Sequence, residues 1–143
     1  MPEAVIVAAT RSPIGRANKG SLVDMRPDDL ATQVVTSLLE RSGVDGNEVE
    51  DLIMGCGQPA GESGYNIGRV VAVEAGLADV PGVTVNRYCS SSLQTTRMAA
   101  HAIKAGEGDC FISAGVETVS RFMKGMSDGG PDTTNPRFDQ ARA

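Results

Sequence analysis

The strongest constraint on this chain is a repeating unit, in which a short apolar run is followed by an amphipathic stretch that ends at a glycine. Val5 to Ala9 is a continuous, partly β-branched apolar run, the pattern of a strand buried on both faces, and it predicts a central strand. Pro27 to Arg41 reads as a helix. Pro27 suits a first helical turn, and Asp28 and Asp29 suit the positive end of the helix dipole. Leu30, Val34, Val35, Leu38 and Leu39 form an apolar stripe that stops near Gly43. The unit recurs as a strand at Leu52 to Met54, then a helix marked by Ile67, Val70 and Val71 and ended by Gly76. It recurs again as a strand at Val83 to Val85 and a helix carrying Leu93, Thr96, Ala100 and Ile103 up to Gly106. Cys110 to Ala114 is a further strand. Strands alternating with helices predict an α/β fold, a mainly parallel sheet with helices on both faces, whose functional groups gather at the carboxyl ends of the strands.

Composition narrows the functional classes. The 143 residues are one domain's worth of chain, and 41% hydrophobic residues with 17 glycines is a globular composition. A net charge of −5, with no concentrated basic patch, leaves no electrostatic footprint for nucleic acid or an anionic membrane. The longest apolar run falls far short of a bilayer span, and the start lacks a basic segment and a secretory apolar core, so the expectation is a soluble cytoplasmic protein. Three cysteines without a C-x-x-C pair fit neither a disulfide framework nor a zinc site, and with a single histidine no metal is expected. From Lys124 the chain turns polar and glycine-rich, with Phe138 its only aromatic. Residues 1–120 are therefore expected to form the α/β domain and 121–143 to open a loop region.

The segment Asn86 to Gln94 places Cys89 at a strand-to-helix turn. A thiol there faces unsatisfied backbone N–H groups and the positive end of a helix dipole, which favour the nucleophilic thiolate. Ser90, Ser91 and Ser92 are small enough to admit a substrate, and a serine there can cap the helix. The only histidine, His101, is twelve residues further on. On one helix that is about 18 Å, too far to act as the base of Cys89. Cys56 and Cys110, in or beside strands, read as core residues. Gly55, Gly57 and Gly61 imitate a dinucleotide-binding turn without its spacing, and with Gly64 more simply permit a close-packed loop. Arg11 and Arg16 read as solvated or subunit-contact residues.

Val85 to Ile103 resembles the nucleophile signature of the thiolase family, with Cys89 in the acyl-accepting position. Ala8 to Gly15 resembles the family's opening, Gly106 to Asp109 the turn before its fourth strand, and Gly115 to Ser120 the stretch that follows. Ser92, Thr96, Thr118 and Val119 depart from the family's usual residues, which bears on subfamily and acyl chain rather than on the nucleophile. The resemblance implies an N-terminal half-domain, with the activating histidine, a second acid/base cysteine and most CoA contacts in a C-terminal half and inserted loops. It implies acyl transfer between CoA thioesters with CoA and acyl-CoA as substrates, no permanently bound cofactor, and a homo-oligomer in which Val83 to Asn86 lies near the subunit contact. The alternative is a non-catalytic α/β binding or scaffold module with no privileged thiol.

Overall fold

The computed structural model describes residues 2–122. Its elements are α1 (Pro27–Ser42), β1 (Asp51–Gly55), α2 (Ile67–Glu74), β2 (Gly82–Val85), α3 (Ser91–Ala105), β3 (Phe111–Gly115) and one helical turn, α4 (Val119–Arg121). The three strands are parallel in the order β2-β1-β3, with β1 hydrogen-bonded on both edges. Leu52 pairs with Gly82 on one side and Ile112 on the other, so the carboxyl ends of all three strands finish level at Gly55, Val85 and Gly115.

Period-two alternation gives each face of the sheet its own helices. Leu52, Met54, Cys56 and Ile112 join a buried cluster with Ala31 and Val35 of α1 and Ile67, Val71 and Ala72 of α2. The opposite face belongs to α3: Ser113 of β3 hydrogen-bonds Thr95 and Thr96, and the backbones of Gly55 and Gly115 lie against Ser91 and Ser92. The expected parallel α/β sheet with helices on both faces is thus what forms. Helix boundaries follow their sequence signals. Pro27 opens α1, and Gly43 closes it at φ 69° with its N–H donating to the Leu39 carbonyl. Gly106 ends α3 in the same left-handed conformation.

Two expectations change. The Val5 to Ala9 run forms no strand and is largely exposed, with Val5 at 71%, Ile6 at 81% and Val7 at 77%. The centre of the sheet is taken instead by β1, which pairs with β2 on one edge and β3 on the other. On α3 the buried stripe is Ser91, Thr95 and Ala99, four residues apart, while Leu93 is 74% exposed. Small residues let this helix approach the sheet more closely than a leucine stripe allows. The segment expected to open a loop region at 121–143 enters the described residues only at Arg121 and Phe122, and the rest lies outside them. No helix among the described residues is long and apolar enough to cross a membrane.

Leu52 is fully buried at the centre of the main cluster. Leu52→Ala should lower unfolding free energy by about 2–5 kcal/mol in urea titrations. Leu93→Ala, at an exposed site, should stay within about 0.5 kcal/mol of the parent.

Candidate active site

The carboxyl ends of the three strands converge on a cavity of about 480 Å³. Gly55 ends β1 and Gly57 and Gln58 follow it, Tyr88, Cys89, Ser91 and Ser92 follow β2, and Gly115 ends β3 with Val116 and Glu117 after it; Val119 and Phe122 complete the lining. The volume is in the range of small-molecule sites, and its position is the usual one in open parallel sheets.

Cys89 occupies a 3-10 turn, Tyr88–Ser90, that joins β2 to α3, and it is exposed to the cavity. Three side-chain bonds shape this turn. The Asn86 carboxamide oxygen accepts the Tyr88 N–H at 2.8 Å. The buried Ser91 hydroxyl accepts the Arg87 N–H at 2.8 Å and donates to the Tyr88 carbonyl at 2.6 Å. Ser90 occupies the N-cap of α3 without a side-chain cap bond, so the serine that organises the turn is Ser91, which ties it back on itself. Tyr88 is held at φ 49°, a left-handed conformation that a bulky residue adopts only when its surroundings impose it. The first turn of α3 carries no acidic residue, so the positive end of its dipole is left uncancelled by its own side chains.

The glycines of the β1 loop prove to be contact residues. A Cβ on Gly55 would stand 2.6 Å from the Ser91 carbonyl carbon and the Ser92 nitrogen, and one on Gly115 would stand 2.5 Å from the Ser92 hydroxyl. These two positions let the start of α3 lie directly on the strand ends. The resemblance to a dinucleotide turn ends there, because the helix that follows β1 begins only at Ile67.

Of the other two cysteines, Cys110 is half-buried beside β3 and its thiol is pushed up by burial and then by Glu48 and Glu50. Cys56 is fully buried, as expected of a core residue, yet its sulfur lies 3.6 Å from a Glu117 carboxylate oxygen. Burial, with the Glu117 charge adding to it, pushes the Cys56 thiol up to about 11, so it stays protonated and unreactive. His101 is exposed on α3, and Arg11 and Arg16 are exposed.

Sequence reasoning missed two features that shape the cavity. Glu117 accepts the N–H of Gly57 at 2.8 Å and of Gln58 at 3.2 Å, joining the loops after β1 and β3. Behind it, Glu62 accepts two bonds from Arg121, from Nε and from Nη2, and a further bond from Arg26 at 3.1 Å, and Arg26 in turn pairs with Asp28 at 2.6 Å. This network pins α4, the segment that follows Glu117, to the start of α1. These carboxylates and arginines are far apart in sequence and carry no periodic signal; only the β1–β3 pairing brings Glu117 to Gly57.

A parallel α/β domain with an exposed cysteine at a strand-to-helix turn defines the class to which this molecule belongs. The family model described as "Thiolase, N-terminal domain" matches residues 4–137, and the chain belongs to the thiolase family. It is 47% identical over 122 residues to a 3-ketoacyl-CoA thiolase of Bacillus subtilis (strain 168), an alignment covering 85% of this chain and 31% of that protein. It is 47% identical over 133 residues to a beta-ketoadipyl-CoA thiolase of Acinetobacter baylyi, covering 90% and 33%. With a 3-oxoadipyl-CoA/3-oxo-5,6-dehydrosuberyl-CoA thiolase of Escherichia coli (strain K12) it shares 45% identity, covering 97% and 35%. The chain spans about a third of the length of the curated relatives it matches.

The Glu62 network sets a pH dependence. Hydrogen bonds from Arg121 hold the Glu62 carboxyl below its ordinary value of 4.5. Burial pushes the Asp28 carboxyl up, but the bond and charge of Arg26 and the backbone N–H groups of Asp29 and Asp28 together hold it below its ordinary 3.8. Depressed folded-state values mean that this stabilisation is complete above the unfolded-state values and is lost as pH falls through the folded ones. In urea unfolding, Glu62→Gln should therefore be less stable than the parent near neutrality, and the gap should narrow as pH falls below the ordinary glutamate value of 4.5.

Proposed function

We propose that this chain carries the nucleophile of a thiolase-type acyl transfer, with Cys89 as the acyl acceptor. The observation that carries the reading is the position of Cys89, exposed in a cavity built from the carboxyl ends of all three strands, at the start of α3. The Cys89 thiolate sulfur attacks the C3 carbonyl carbon of a 3-ketoacyl-CoA, and the C2–C3 bond then breaks. The electron pair leaves on C2, which takes up a proton and departs as acetyl-CoA, and the shortened acyl group stays on sulfur as a thioester. The thiol of a second CoA gives up its proton, attacks that thioester and returns Cys89 as thiolate. Both halves are thioester chemistry, so a cysteine stores the acyl group with little change in bond energy. The Cys89 N–H, at the amide-rich start of α3, is the chain's own donor to the oxyanion that forms in each half.

The proton transfers call for acid and base groups beyond those described here, because His101 lies far along α3. In this reading they come from a C-terminal half, in keeping with relatives about three times as long as the matched region. The relatives named for 3-ketoacyl-CoA and for beta-ketoadipyl-CoA share the 3-keto thioester, and that group is the substrate class proposed for this chain. No bound cofactor enters the scheme. Three unpaired thiols are in keeping with a reducing, cytoplasmic setting.

Incubation with acetyl-CoA followed by peptide mass spectrometry should place an acetyl group on Cys89 alone, and Cys89→Ser should abolish it. Equal slow acetylation of Cys56, Cys89 and Cys110, or none at Cys89 in an assembly that includes the C-terminal half, would refute the assignment.

A homo-oligomer joined near Val83 to Asn86 is part of the same proposal. It is supported by β2 lying at the sheet edge, where only partly buried residues face outward. The Asn66 side chain braces that edge by donating to the Gly82 carbonyl at 2.7 Å and accepting from the Thr84 hydroxyl at 2.8 Å. Sedimentation velocity should show association that a lysine in place of Val83 weakens, whereas a monodisperse monomer would contradict this contact.

A further inference from the structure

The loop after β1 and the turn that bears Cys89 meet at Gly57. A Cβ there would lie 2.9 Å from a Glu117 carboxylate oxygen and 3.3 Å from the Tyr88 Cα, so the Gly57 backbone is wedged between the carboxylate and the one left-handed residue of the nucleophile turn. Glu117 holds that wedge. Its two oxygens accept the Gly57 and Gln58 N–H groups, and one of them also lies within reach of the Cys56 thiol, so three donors converge on a single acceptor-only group. Charge-assisted bonds of this kind are the stronger ones, and the arrangement suits a carboxylate better than any neutral side chain. Glu117 is itself fixed from behind, because four residues later Arg121 is held by Glu62 and by the Asp24 carbonyl.

Tyr88 adds the reason that such a wedge is needed. Left-handed backbone is costly for a bulky residue, and it persists only where neighbours over-determine it. Asn86 and Ser91 hold Tyr88 from within its own turn, and the Gly57 loop bounds it from outside. We infer that Glu117 is a positioning residue: by gathering the Gly57 and Gln58 N–H groups it seats their loop against Tyr88 and keeps Tyr88 in the left-handed conformation that presents Cys89 at the start of α3. The significance of this rests on Cys89 being the acyl acceptor, but the geometry and its test do not.

Iodoacetamide labelling resolved by peptide mass spectrometry reads Cys89 and Cys110 separately in the intact chain. Glu117→Ala should slow Cys89 labelling about three- to tenfold, the scale of one net hydrogen bond, and leave Cys110 unchanged. Gly57→Ala keeps the carboxylate charge but drives a Cβ into the wedge, and should slow Cys89 in the same way. Glu117→Gln, whose amide nitrogen is a donor, can accept only one of the two N–H groups and should fall between Glu117→Ala and the parent. In a Tyr88→Gly background positive φ carries no penalty, so Glu117→Ala should have no further effect on Cys89. An unchanged Cys89 rate in Glu117→Ala overturns the proposal. So does an effect of equal size in the Tyr88→Gly background, or an effect of Glu117→Ala that Gly57→Ala does not reproduce, since the influence of Glu117 would then be one of charge. No CoA thioester takes part, so failure here leaves the acetylation result untouched, and a failed acetylation leaves this result untouched.

Discussion

The close approach of α3 to the ends of β1 and β3 is the constraint on which the rest of the molecule depends. It requires glycine at 55 and 115, because a single methyl group at either would overlap the first residues of the helix. It also requires a helix face of serine, threonine and alanine in place of leucine. That face is polar, and its cost is met by hydrogen bonds: the fully buried Thr95 hydroxyl lies 2.8 Å from the Ser92 carbonyl and 2.8 Å from the Ser113 hydroxyl. Thr96 joins the same seam at 3.0 Å from Ser113. Lowering the helix onto the strand ends brings its amide-rich start, and with it Cys89, to the mouth of the sheet.

The same geometry divides the three thiols among different environments. Cys56 continues β1 into the apolar layer shared with α1 and α2, where burial and the Glu117 charge keep it protonated. Cys110 sits at the opposite end of β3, where burial and two acidic neighbours also raise it. Only the turn between β2 and α3 sets a cysteine in the open at the amino end of a long helix. The exposure of one thiol and the raised values of the other two therefore follow from where the backbone places each sulfur.

Much of this could be read from the sequence, and the exceptions share a cause. Gly43, Gly76 and Gly106 mark helix ends because left-handed termination is a local property of the backbone. The strands at 51–55, 82–85 and 111–115 were legible from short apolar runs between turn residues. Cys89 stood out because a strand-to-helix turn is also a local pattern. Val5 to Val7 misled, since an apolar run signals a demand for burial without naming the surface that meets it. Leu93 misled because spacing does not reveal that the sheet beneath α3 ends in glycines. Glu117, Glu62 and Arg121 were invisible as a set, for their partners lie about 60 positions away and meet only once the parallel strands have paired.

That strand order has a consequence for how the chain acquires its shape during synthesis. The central strand β1 leaves the ribosome first and has no neighbour until the crossover through α2 delivers β2; its other edge waits for the crossover through α3. Parallel pairing of this kind is non-local and slow, because each contact closes a long loop before it gains any stability. The cavity draws on the ends of all three strands, so it is the last part of the domain to exist. A nascent chain halted between β2 and β3 would hold helices and a hairpin-free pair of strands, without the third strand end that the cavity needs.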